Sequence, residues 1–72
     1  MLQVVTMSEI EKVFSVTDRI GIHRENVVIP LRPAHPGRVR RMPNGKFEIV
    51  VEADDLDPWL SMLEGQLRHA GA

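Results

Sequence analysis

His23, His35 and His69 are the side chains of this chain whose proton chemistry falls near neutral pH, and none has a partner at a motif spacing. His69 sits in the last turn of a predicted helix, where the helix dipole favours a protonated imidazole without any catalytic role. His35, between Ala34 and Pro36 in a loop-like segment, is the better functional candidate, since loops present reactive groups. Glu52, Asp54, Asp55 and Asp57 bring together the oxygens that calcium prefers, but no glycine or distal bidentate glutamate follows in EF-hand register. Acids ahead of a helix N-terminus explain at least two of them. Gly37 and Gly45-Lys46 lack the spacing of a phosphate loop. These residues therefore predict no catalytic constellation, no metal site and no cofactor.

The arginines carry more information than the histidines. Residues 32–46 hold Arg32, Arg38, Arg40, Arg41 and Lys46 with no acid, whereas residues 48–64 hold Glu48, Glu52, Asp54, Asp55, Asp57 and Glu64 with no base. A basic run standing alone would suggest nucleic acid. Here a predicted hairpin folds it against its acidic neighbour, so much of its field is expected to be neutralised.

The register of that hairpin follows from its turn. A two-residue Asn44-Gly45 turn would bury arginines beside apolar side chains. Pro43 instead suits the first central position of a type I turn, Asn44 the second, and Gly45 supplies the left-handed residue of a three-residue loop with a bulge. Met42 then opposes Lys46, Val39 meets Ile49, and Arg40 lies across from Glu48. This register gathers Val39, Phe47, Ile49 and Val51 on a core face and leaves Arg38, Arg40, Glu48 and Glu52 wet, with Val50 among them. Arg41 falls on the core side, where its stem covers the Phe47 ring.

The elements that hold the hairpin are read from caps and periodicity. Ser8-Glu9-Ile10-Glu11 is a capping box, and Ile10, Val13, Phe14 and Thr17 recur at helical spacing up to Gly21, predicting a helix over 9–19. Residues 2–5 suit either a short strand or a continuation of that helix. Val27-Val28-Ile29-Pro30 has strand character, and Pro30 makes it an edge strand or its end. A loop over 32–37 leads to the hairpin. The last helix is expected to start with Asp57 as N-cap and Pro58 at the first helical position, with Leu56, Leu60, Leu63, Leu67 and Ala70 forming its buried stripe and Glu64 paired with Arg68 outside. Gly65 either admits a close neighbour or is merely tolerated. The order is helix, three strands, helix: a small two-layer α+β domain with an antiparallel sheet.

Seventy-two residues, 43% of them hydrophobic and 26% charged, make a single domain over 1–72 of ordinary globular composition. A core this small seldom stabilises a fold by more than about 3–5 kcal/mol, so a disulfide, metal or partner subunit is the usual supplement. Cysteine is absent, which removes the disulfide and fits a reducing compartment. No apolar run approaches a membrane span and no signal peptide is evident, so a cytoplasmic protein is expected. Val50 on the wet hairpin face, Trp59 at the shoulder of the last helix and an open edge at the first strand supply the means to dimerise.

Residues 20–58 resemble the segment preceding the active site in the ImmA/IrrE family of zinc metallopeptidases. The likeness rests on Gly21-Ile22, on the Pro30-Leu31 strand ending, on Arg40-Arg41-Met42-Pro43-Asn44-Gly45-Lys46-Phe47 and on Ile49-Val50-Val51. In that family the next helix carries His-Glu-x-x-His. Here it reads from Pro58 to His69 without that motif, so the resemblance implies the scaffold and no zinc ligand. The order of elements, and the Ala70-Gly71-Ala72 ending, are also similar to the double-stranded-RNA-binding-like fold of the HicA family of RNA-cleaving toxins. The family's histidine has no counterpart, since Gly37 occupies its aligned position.

The expectation is a non-catalytic module that binds a protein partner, with a homodimer as its form. The alternative is RNA binding or cleavage through Arg32, His35, Arg38, Arg40 and Arg41. The binding residues expected on these two readings are those five with Val50 and Trp59.

Overall fold

The computed structural model describes residues 4–32 and 34–72. Its elements are helix α1 (Met7–Arg19), strand β1 (Val27–Val28), strand β2 (Val39–Arg41), strand β3 (Phe47–Ile49) and helix α2 (Leu56–His69), with single 3-10 turns before β1 and before α2. The α+β reading and the order of elements hold.

The hairpin forms in the register its turn demands: Val39 opposes Ile49, Arg40 opposes Glu48 and Arg41 opposes Phe47. Gly45 has φ +87°, its N–H donates to the Met42 carbonyl at 2.9 Å, and the Asn44 side chain accepts from the Lys46 amide at 3.0 Å. The sheet, however, is mixed rather than antiparallel. Its order is β1-β3-β2, with β1 running parallel to β3 through Val27 and Phe47. Short turns force neighbours to be antiparallel, but the connection from β1 to β2 is long enough to carry the chain past the position that β3 later fills. Both β1 and β2 are therefore edges, and β1 also ends before Pro30, so both alternatives that Pro30 allowed are met.

Helix α1 begins earlier than the Ser8 box implies. Thr6-Met7-Ser8-Glu9 is an overlapping box of the same type, and it is the one that forms: the Glu9 carboxylate accepts from the Thr6 amide at 2.8 Å, and Thr6 Oγ1 accepts from the Glu9 amide at 3.3 Å. This choice places Val5 and Ile10 at the positions of a hydrophobic staple, and Val5 is buried. Val13, Val16 and Thr17 form the buried face of α1, while Phe14 is only half-buried beneath the Arg24 guanidinium. Val4 and Val5 belong to neither helix nor strand; residues 2 and 3 lie outside the described residues.

Helix α2 likewise starts before its expected cap. Asp55 is the N-cap residue, and Asp57 and Pro58 stand inside the first turn. A proline is tolerated there because the first amides of a helix have no intrahelical acceptor. The earlier start lets Leu56 pack on the core. The core combines Val5, Val13 and Val16 with Phe47, Ile49 and Val51 of the hairpin and Trp59, Leu63 and Leu67 of α2. Glu64 pairs with Arg68 as expected and also with Arg19 of α1, each at 3.5 Å and exposed enough to contribute little. No helix among the described residues is long and apolar enough to cross a membrane.

Candidate functional site

Strand β2 is the open edge beside α2, and its backbone pattern follows from the ladder. Val50 N–H donates to the Arg38 carbonyl at 2.8 Å, and Met42 N–H donates to the Lys46 carbonyl at 2.7 Å. Arg40, directly opposite Glu48, bonds in the same direction. By alternation, the N–H and C=O groups of Val39 and Arg41 point away from β3 toward the free edge.

That edge opens into a groove of about 860 Å³. One wall is residues 37–41. The other is a single face of α2 presenting Met62, Gly65, Gln66 and His69. A Cβ built on Gly65 would meet no atom within 4 Å, so Gly65 admits no close neighbour within the fold and instead leaves space in the groove. Met62 is 58% exposed beside it, and one buried oxygen of Gln66 has no donor among the described residues.

The electrostatics of the groove are one-sided. Arg40 Nε donates to Glu48 Oε1 at 2.8 Å, a contact that cancels basic against acidic block. Arg38 has no carboxylate partner among the described residues. Arg41 lies 5.5 Å above the Phe47 ring, as its register predicted, and donates to the Gly71 carbonyl at 3.4 Å; it too lacks a carboxylate. Among the described residues, Arg40 is the arginine of the basic block that forms a salt bridge with the acidic block. Among the described residues no acid lines the groove.

The Arg40 hydrogen bond holds the Glu48 carboxyl below its ordinary value, with the charges of Arg40, Arg38 and His35 acting in the same direction against partial burial. A carboxylate whose folded pKa is depressed contributes stability that is fully present above the unfolded value and lost as pH falls through the folded one. Acidification from neutrality to about pH 3 is therefore expected to lower the urea midpoint of the wild type more than that of Glu48→Gln. Parallel acid limbs for the two proteins would refute this role for Glu48.

Of the residues singled out in the sequence, the fold brings Arg38, Arg40 and Arg41 together along the groove. Arg32 and His35 are exposed on the preceding loop and do not line it. Val50 and Trp59 are not surface residues; each is only 4% exposed. The turn over residues 35–38 sets the Gly37 amide against the Val50 carbonyl at 2.8 Å, so chain that was expected to leave this face open closes over it. Trp59 joins the core because α2 turns the face carrying Trp59, Leu63 and Leu67 toward it. The α2 wall escaped notice in the sequence, although Met62, Gly65, Gln66 and His69 share one helical face with a glycine in it.

Among the described residues no three His, Cys, Asp or Glu side chains group to hold a metal ion. No family model matches the chain, and no curated protein and no solved structure is similar enough to count as a match.

Proposed function

We propose that the chain is a non-catalytic protein-binding module that takes an extended segment of a partner protein along the open edge of β2. The observation that carries this reading is the alignment of two free backbone positions, Val39 and Arg41, with a groove whose far wall is indented at Gly65. Main-chain bonds to the edge would supply affinity and the groove would select alternate side chains. The earlier grounds for a homodimer weaken, since Val50 and Trp59 are buried.

RNA binding is the second reading, supported by the absence of carboxylate partners at Arg38 and Arg41 among the described residues. Stacking surfaces are scarce for it: Phe47 and Trp59 are buried, and Arg24 stands 4.7 Å from the Phe14 ring.

Peptides selected from a displayed library of extended sequences test the proposal through Gly65→Leu. This substitution fills the groove while relieving a mid-helix glycine of about 1 kcal/mol, so the variant should melt no earlier than the wild type. The selected peptides should lose at least about tenfold in affinity for it, the loss expected when a side chain occupies the space a ligand needs. Equal affinity for both proteins, or no selectable peptide, would defeat the reading.

A further inference from the structure

We infer that the segment taken up by the β2 groove is acidic, with carboxylates three residues apart that face Arg38 and Arg41. The inference rests on the strand-addition reading and adds the chemistry of the occupant. Successive residues of a strand point to opposite faces, so Arg41 stands on the helix side of β2 and Arg38 on the other. A segment paired with the edge alternates in the same way, and the residues opposite Arg38 and Arg41 are then separated by two others. Both guanidinium groups are without a carboxylate among the described residues, and Arg40, the arginine between the two faces' free cations, is already occupied by Glu48. Among the described residues no acid opposes either of them across the groove. Charge complementarity therefore selects carboxylates at two positions, with small or apolar residues between them to meet Val39, Met62 and the space at Gly65.

The same charges argue against a second copy as the occupant. Antiparallel pairing of β2 with its own copy sets one run of arginines against another, and like charges directly opposite each other destabilise a strand pair. They also argue against a basic segment, which would set like charges beside Arg38 and Arg41.

The test uses the full chain and three short synthetic peptides of threonine and valine that carry glutamate, glutamine or lysine at every third position. Binding is read by the amide NMR shifts of Val39 and Arg41 and by fluorescence anisotropy at low and high salt. The glutamate peptide is expected to shift both amides and to bind on the order of tenfold more tightly than the glutamine peptide, with the advantage shrinking in salt. Arg38→Gln and Arg41→Gln should each reduce that advantage.

Equal binding of the glutamate and glutamine peptides overturns the acidic occupant and leaves strand addition standing. Failure of every peptide to shift the Val39 and Arg41 amides overturns both. Two further results also overturn the inference. One is a single-stranded RNA that binds through Arg38 and Arg41 and is insensitive to Gly65→Leu. The other is a concentration-dependent shift of the same amides without peptide, which assigns the edge to a second copy.

Discussion

Leu63→Ala is expected to remove much or all of the stability of the fold at 25 °C. Leu63 is 0% exposed at the centre of the α2 stripe, between Trp59 and Leu67 and within the cluster that joins both helices to the hairpin. Truncating a fully buried leucine removes its transfer free energy and leaves a cavity that the surroundings only partly fill, a loss of about 2–5 kcal/mol. A domain of this size seldom has more than about 3–5 kcal/mol in total, so the substitution removes a large share or all of it. Met62, the preceding residue, is 58% exposed and supplies the internal contrast: Met62→Ala should change stability by less than about 0.5 kcal/mol. Urea unfolding of both variants, followed by far-UV circular dichroism, separates the cases. Similar midpoints for the two would mean that α2 does not bury this face.

Val50→Lys is expected to destabilise the fold by about 2–3 kcal/mol. The position is 4% exposed and lies opposite Arg38, so a lysine there meets both burial and a like charge across the strand pair. Val50→Ala isolates the packing contribution. Losing two buried carbon groups at about 0.8 kcal/mol each should lower stability by roughly 1–2 kcal/mol without any charge effect. Strand alternation alone makes Val50 a wet residue, for which both substitutions would fall within about 0.5 kcal/mol of wild type. Denaturant midpoints therefore decide between the local pattern and the tertiary arrangement, and a silent Val50→Ala would overturn the buried assignment.

The candidate site was legible in the sequence on one wall. Arg38, Arg40 and Arg41 were readable as a basic group, and their register against Glu48 assigned each of them to a face. The other wall was not, because the face of α2 with Met62, Gly65, Gln66 and His69 becomes a wall only when β2 lies beside it. Gly65 left both of its explanations open until the space around it was known. The neutralisation expected of the charge blocks was too broad for a similar reason. Opposite charges close in sequence cancel best where the register places them directly across, and the hairpin does so for Arg40 and Glu48.

Residue types by themselves determined the Pro43-Asn44-Gly45 turn, the pairing of Val39 with Ile49, the stop of α1 near Gly21 and the apolar stripe of α2. Each depends on steric limits or hydrogen bonds among residues a few positions apart, and these act in the same way whatever surrounds them. The tertiary structure decided the parallel placement of β1, the choice between the overlapping capping boxes of Thr6 and Ser8, the burial of Val50 and Trp59, and the groove between the β2 edge and α2. All of these depend on which distant segments share one core, and local preferences differ too little among the alternatives to choose between them before the chain has packed.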